Sequence, residues 1–129
     1  MKPQLNAITI AVKDIVKLKL FYVELFEWEI MDESPDIVMF RLDHIILTLY
    51  KKKDHAKYLD LQQGEYNHPK FYLTINTDSH RQTDDLFAEL KVKGVNIIKE
   101  PQQFFWGGYG GIIADPEDNY WEICYNPVS

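Results

Sequence analysis

Several things are scarce in this chain, and each scarcity excludes something. One cysteine in 129 residues rules out an intramolecular disulfide, so nothing calls for an oxidising compartment. No run approaches the roughly 20 apolar residues that a membrane-spanning helix needs. The N-terminus shows no charged segment followed by an apolar one, so a cytoplasmic location is expected. Positive charge is thin: 14 Lys and Arg stand against 20 Asp and Glu, a net charge of −6. Only Lys51-Lys52-Lys53 is locally basic, and without a basic stripe to displace counterions neither nucleic acid nor an anionic membrane is an expected partner. The four histidines, His44, His55, His68 and His80, are scattered, and no two of them share a helix face at metal-binding spacing. Glycine is rare too, and four of the six fall within Gly107–Gly111. That cluster precedes a strand rather than opening a helix, which excludes a phosphate cradle, and neither a serine nucleophile elbow nor a dinucleotide fingerprint is present.

What is there reads as an α+β chain of a single domain. A 46% hydrophobic, 26% charged composition at this length suits one soluble core. Asn6–Val12 alternates as a strand with Ile8, Ile10 and Val12 on one face. Asp14 then caps a helix that Ile15, Leu18, Tyr22 and Leu25 carry to about Phe26. Trp28–Asp32, Ile37–Leu42 and His44–Tyr50 follow as strands, giving βαβββ. Residues 51–69 form a polar connector with a helical patch at Ala56–Leu61. Lys70–Asn76 is a strand, Thr83–Lys93 a helix ended by Gly94, and Val95–Lys99 a strand stopped by Pro101. Two closing strands complete a second βαβββ. The repeat is visible in letters, since Leu20-Phe21-Tyr22-Val23-Glu24-Leu25 answers Leu86-Phe87-Ala88-Glu89-Leu90. A helix and four strands bury little alone, so modules at about 1–50 and 70–129 are expected to build one curved mixed sheet with a concave cleft.

The last strand carries the residue that needs explaining. Pro116, Asp115 and Asn119 make the preceding segment a tight turn, after which the period of two puts Tyr120, Glu122 and Cys124 on one face and Trp121, Ile123 and Tyr125 on the other. A carboxylate inside such an apolar strand is costly to bury without a cation, a metal or hydrogen-bond donors beside it. Cys124, with no cationic neighbour in sequence, reads as a small buried hydrophobe. Phe104, Phe105, Trp106 and Tyr109 surround the glycines and are expected to border the cleft, either as an aromatic wall for a planar or cationic ligand or as a plug for one end of the sheet.

Ile8-Thr9-Ile10-Ala11-Val12-Lys13-Asp14-Ile15 with Phe21-Tyr22, Trp106-Gly107-Gly108-Tyr109, and Ala114-Asp115-Pro116-Glu117-Asp118-Asn119-Tyr120-Trp121-Glu122 together resemble the vicinal oxygen chelate superfamily of glyoxalase I, extradiol dioxygenases and the fosfomycin and bleomycin resistance proteins. The resemblance implies two βαβββ modules and, in the metal enzymes, ligands drawn from facing strands. Glu122 matches the last-strand carboxylate. The first-strand positions, usually histidine, fall on Ala7 and Lys70, and a further carboxylate position falls near Leu47 or Thr48. An open iron site typically takes two histidines and a carboxylate, and only His44 and His68 stand as weak substitutes. No metal or other cofactor is therefore expected. The resemblance points instead to a homodimeric small-molecule binder of the bleomycin-resistance branch, sequestering an antibiotic or toxic metabolite of cationic or aromatic character. Its ligand-binding residues would be Phe105, Trp106, Tyr109, Lys70, Tyr72 and Glu122, with Lys70 standing near Glu122 where a metal would otherwise sit. The alternative is a lyase or dioxygenase of the glyoxalase type, with Ni, Zn, Fe or Mn and Glu122 as ligand or general base.

Overall fold

Strand alternation and two well-formed helix caps produce the same unit twice. A computed structural model describes residue 3 and residues 6–58 and 71–127, which divide into two units, Met1–Glu65 and Tyr66–Ser129.

The first unit runs β1 (Ala7–Val12), α1 (Ile15–Leu20), β2 (Ile30–Glu33), β3 (Ile37–Arg41), β4 (Ile46–Lys51) and α2 (Lys52–Tyr58). Its sheet has the order β1-β4-β3-β2, with β1 parallel to β4 and the other pairs antiparallel. Asp14 caps α1 as its spacing requires, its side chain accepting a 3.0 Å bond from the Lys17 N–H. The helix does reach Leu25, but its last turn, Phe21–Leu25, is π-helical. That turn buries both Phe21 and Tyr22, whose rings meet edge to face at 5.0 Å. Glu27 then takes φ 59° and the Trp28 N–H bonds back to the Tyr22 carbonyl, which lays the Trp28 ring parallel to Tyr22 at 5.7 Å. The core beneath is Ile10, Val12, Val38, Phe40, Leu47 and Leu49. The short helix starts at Lys52, directly after β4 and one turn before the expected patch, whose final residues lie outside the described ones.

The second unit runs β5 (Leu73–Thr77), α3 (His80–Val92), β6 (Asn96–Gln103), β7 (Tyr109–Ala114) and β8 (Tyr120–Tyr125), in the order β5-β8-β7-β6. Its pairing repeats that of the first unit: β5 is parallel to β8 and the rest are antiparallel. Helix α3 starts three residues before the expected Thr83, because the Ser79 side chain accepts from the Gln82 N–H at 3.0 Å. Thr83 is instead a buried helical residue, its hydroxyl 2.6 Å from that of Thr77 and donating to the Ser79 carbonyl. The helix ends as expected at Gly94, where φ is 84° and the N–H groups of Gly94 and Val95 bond the carbonyls of Lys91 and Leu90. Strand β6 continues through Pro101 to Gln103 rather than stopping there. It is an edge strand with irregular register at Ile97–Lys99 and Lys99–Gln102, the setting in which a sheet tolerates proline.

Helix α3 covers the side of this sheet that Trp121, Ile123 and Ile113 face. The close approach shows at Gly111, where a Cβ would lie 2.7 Å from the Phe87 ring. The β7–β8 connection is held by Asp115, which is buried: Oδ1 accepts from the N–H groups of Glu117 and Asn119, both at 2.9 Å, and Oδ2 accepts from the Asn119 side chain at 2.8 Å. Removing a buried acceptor strands the donors it satisfied, at about 1–3 kcal/mol. Asp115→Ala is accordingly expected to lower the unfolding free energy by about 2–3 kcal/mol in urea titration, and Asp115→Asn, which keeps one acceptor oxygen, by less. A loss under about 0.5 kcal/mol for the alanine variant would show that the turn does not depend on this side chain.

Candidate functional site

With the helix on one side, the alternation of β8 leaves Glu122 and Cys124 on the other. The parallel register sets Thr74 beside Glu122 and Asn76 beside Cys124, and on the antiparallel side Ile112 is opposite Glu122 and Gly110 opposite Cys124. The polar side chains meet. Thr74 Oγ1 donates to Glu122 Oε1 at 3.1 Å, and the Cys124 thiol lies 3.8 Å from the same oxygen and 3.9 Å from Asn76 Oδ1. Thr74 and Asn76 are exposed, Glu122 is half-buried and Cys124 is buried. Glycine at 110 keeps the backbone low here, since a Cβ would fall 2.4 Å from that of Cys124.

Electrostatically the patch is a carboxylate with neutral donors around it. Burial pushes the Cys124 thiol up to about 11, and the neighbouring Glu122 charge and hydrogen bond act in the same direction. The thiol is therefore a donor at neutral pH rather than a thiolate. It packs as the small buried residue expected from sequence and in addition points its hydrogen at an anion.

Of the residues singled out from sequence, the structure brings Glu122 together with three others, Thr74, Asn76 and Cys124, of which Thr74 and Asn76 were missed. Their signal was present in part: Leu73–Thr77 alternates, so Thr74 and Asn76 share a face. What no local pattern supplies is the register that sets this face beside Glu122, 48 residues away in sequence. Tyr72 is exposed just before β5. Phe105 and Trp106 form the tip of the β6–β7 hairpin, Phe105 fully exposed and Trp106 stacked on Phe104 at 5.5 Å and folded over Gly108. Tyr109 lies on the helix side of β7, opposite to the face of Glu122. Its hydroxyl donates to Asp84, its ring stacks on His80 at 4.3 Å, and the Asp84 hydrogen bond raises its pKa. Lys70 and His68 lie outside the described residues. His44 is exposed in the β3–β4 turn.

Among the described residues the donor set is a poor match for a divalent metal ion. The first and last strands of the two units, β1, β4, β5 and β8, contain one carboxylate, Glu122, one thiol held protonated, and no imidazole. Among the described residues no three His, Cys, Asp or Glu side chains converge. In the first unit the position corresponding to Glu122 in the same register is Thr48, which pairs with Thr9 as Glu122 pairs with Thr74; Leu47 points into the core.

The family model described as Glyoxalase/Bleomycin resistance protein/Dioxygenase superfamily matches residues 4–123. Comparison with curated proteins finds no match. Among solved structures, a glyoxalase-related enzyme from Fulvimarina pelagi superimposes with a TM-score of 0.88 at 23% identity, over 98% of this chain and 91% of that one. A glyoxalase/bleomycin resistance protein/dioxygenase family enzyme from Burkholderia phytofirmans PsJN gives 0.84 at 23%, over 95% and 98%. A lactoylglutathione lyase from Agrobacterium tumefaciens gives 0.78 at 15%, over 98% and 96%. At these identities the likeness speaks for the fold.

The thiol supplies a test of the local electrostatics. A group whose folded pKa lies above its ordinary value stabilises the fold while protonated, and that contribution is lost as pH rises through the folded pKa. For Cys124 the window runs from 9.0 to about 11. Alkylation of the native protein by iodoacetamide is expected to stay slow at pH 9 and to accelerate toward pH 11, with Glu122→Gln moving the profile down. An ordinary thiol profile in both proteins would contradict the placement of Cys124 against the carboxylate.

Proposed function

The chain belongs to the Glyoxalase/Bleomycin resistance protein/Dioxygenase superfamily, and we propose that within it this protein is a metal-independent binder of a small cationic, aromatic molecule, acting by sequestration. The observation that carries this reading is the setting of Glu122: a half-buried carboxylate whose partners among the described residues are a hydroxyl and a thiol, both neutral. An anion with no charged partner among the described residues, in a partly desolvated place, is a receptor for a cation, and the overall charge of −6 favours the approach of one. A divalent ion asks for three or four convergent ligands, and a thiol serves only as thiolate. An organic cation asks for less, one charged acceptor and an apolar or aromatic surface. Tyr72, Phe105 and Trp106, all exposed, are the stacking partners in this reading. The protein acts in the cytoplasm as a homodimer.

A second reading, an enzyme that uses Glu122 as general base, is favoured by the same accessible carboxylate. Turnover of an oxo-substrate would separate it from binding alone.

The two are tested together on protein purified without chelators. The binding account expects less than stoichiometric Ni, Zn, Fe and Mn by elemental analysis, and a rise in melting temperature with cationic aromatic compounds but not with divalent ions. It also expects Glu122→Gln to weaken that binding by about tenfold or more, the scale of a charge-assisted hydrogen bond. Stoichiometric metal in the purified protein would contradict it.

A further inference from the structure

A carboxylate offers about four acceptor positions, two on each oxygen. In Glu122 the two neutral donors do not divide between the oxygens. Thr74 Oγ1 at 3.1 Å and Cys124 Sγ at 3.8 Å both go to Oε1. The thiol has a second acceptor in range, Asn76 Oδ1 at 3.9 Å, and of the two the anionic oxygen is the stronger acceptor for its single hydrogen. No hydrogen bond from a described residue reaches Oε2. Among the described residues the group is thus supplied with donors on Oε1 and open on Oε2.

This asymmetry decides which cations fit. A guanidinium or amidinium grips a carboxylate as a fork, with two parallel N–H···O bonds that need one acceptor position on each oxygen. A primary ammonium is a compact charge that needs only one oxygen. Resting on the binding function proposed above, we infer that Glu122 receives its ligand through Oε2 alone, and that Thr74 and Cys124, by occupying Oε1, select a ligand with an ammonium group over one with a planar amidinium or guanidinium fork. Thr74 and Cys124 are positioning residues in this account. Thr74 is the better one to alter, because it is exposed and its removal leaves no cavity.

Benzylammonium and benzamidinium are matched probes, each a monocation on one benzene ring, and their dissociation constants are measurable by NMR titration at pH 7. The native protein is expected to bind benzylammonium about tenfold more tightly, the value of one charge-assisted hydrogen bond. Thr74→Val frees a position on Oε1, so benzamidinium should gain and the ratio fall toward one. Thr74→Ser restores the hydroxyl and should restore the preference, which a merely structural role for Thr74 would not require. Equal or tighter binding of benzamidinium by the native protein, with both probes weakened by Glu122→Gln, overturns this inference and leaves the binding function standing. An unchanged ratio in Thr74→Val overturns it likewise. Failure of both probes to bind the native protein overturns the binding function and this inference with it.

Discussion

The period of two along β8 forces a choice to which the second unit is fitted. Burying Trp121 and Ile123 under α3 turns Glu122 and Cys124 to the opposite face. A slip of one residue would put a carboxylate under the helix and two large apolar side chains outside it, so the register is held by the cost of the alternative. The devices around β8 all serve that register: Asp115 closing the turn before it, Gly111 letting Phe87 sit against the sheet, and Gly110 leaving room for Cys124. Parallel pairing with β5 then brings a hydroxyl to the carboxylate and an amide to the thiol.

The first unit has the same strand order with a different filling. Thr48, buried and paired with Thr9, occupies the place that Glu122 holds in the second unit. The charge is therefore confined to one half of a duplicated architecture. The aromatic cluster of Tyr22, Phe26, Trp28 and Phe40 packs together in the first unit.

Much of this was legible in the sequence because it follows from short-range rules. The two faces of β8, the Asp115 turn, the Asp14 cap, the Gly94 terminator and the doubled βαβββ order each depend on residues within a few positions of one another. The misreadings have physical causes of the same kind. The apolar spacing starts the second helix at Thr83, but Ser79 caps it earlier and leaves Thr83 to the interior. Pro101 looks like a strand stop, but whether a proline ends a strand depends on whether that strand is an edge, and edges are a property of the assembled sheet. Tyr109 is expected at the cleft, but it follows glycines, which have no side chains to mark parity, and Asp84 and His80 hold it on the helix side instead. Thr74 belongs to the site through a pairing that spans 48 residues, beyond any local pattern.

The superfamily fold supplies two modules, and among the described residues the carboxylate of β8 in the second has a hydroxyl and a thiol as its neighbours. The measurement that bears most directly on this is the carboxyl carbon resonance of Glu122, followed by NMR in chelator-treated protein. The account predicts that it moves on addition of benzylammonium, saturably, with no divalent ion present. A resonance that stays still under the organic cation and moves only when Ni, Zn, Fe or Mn is added would contradict it.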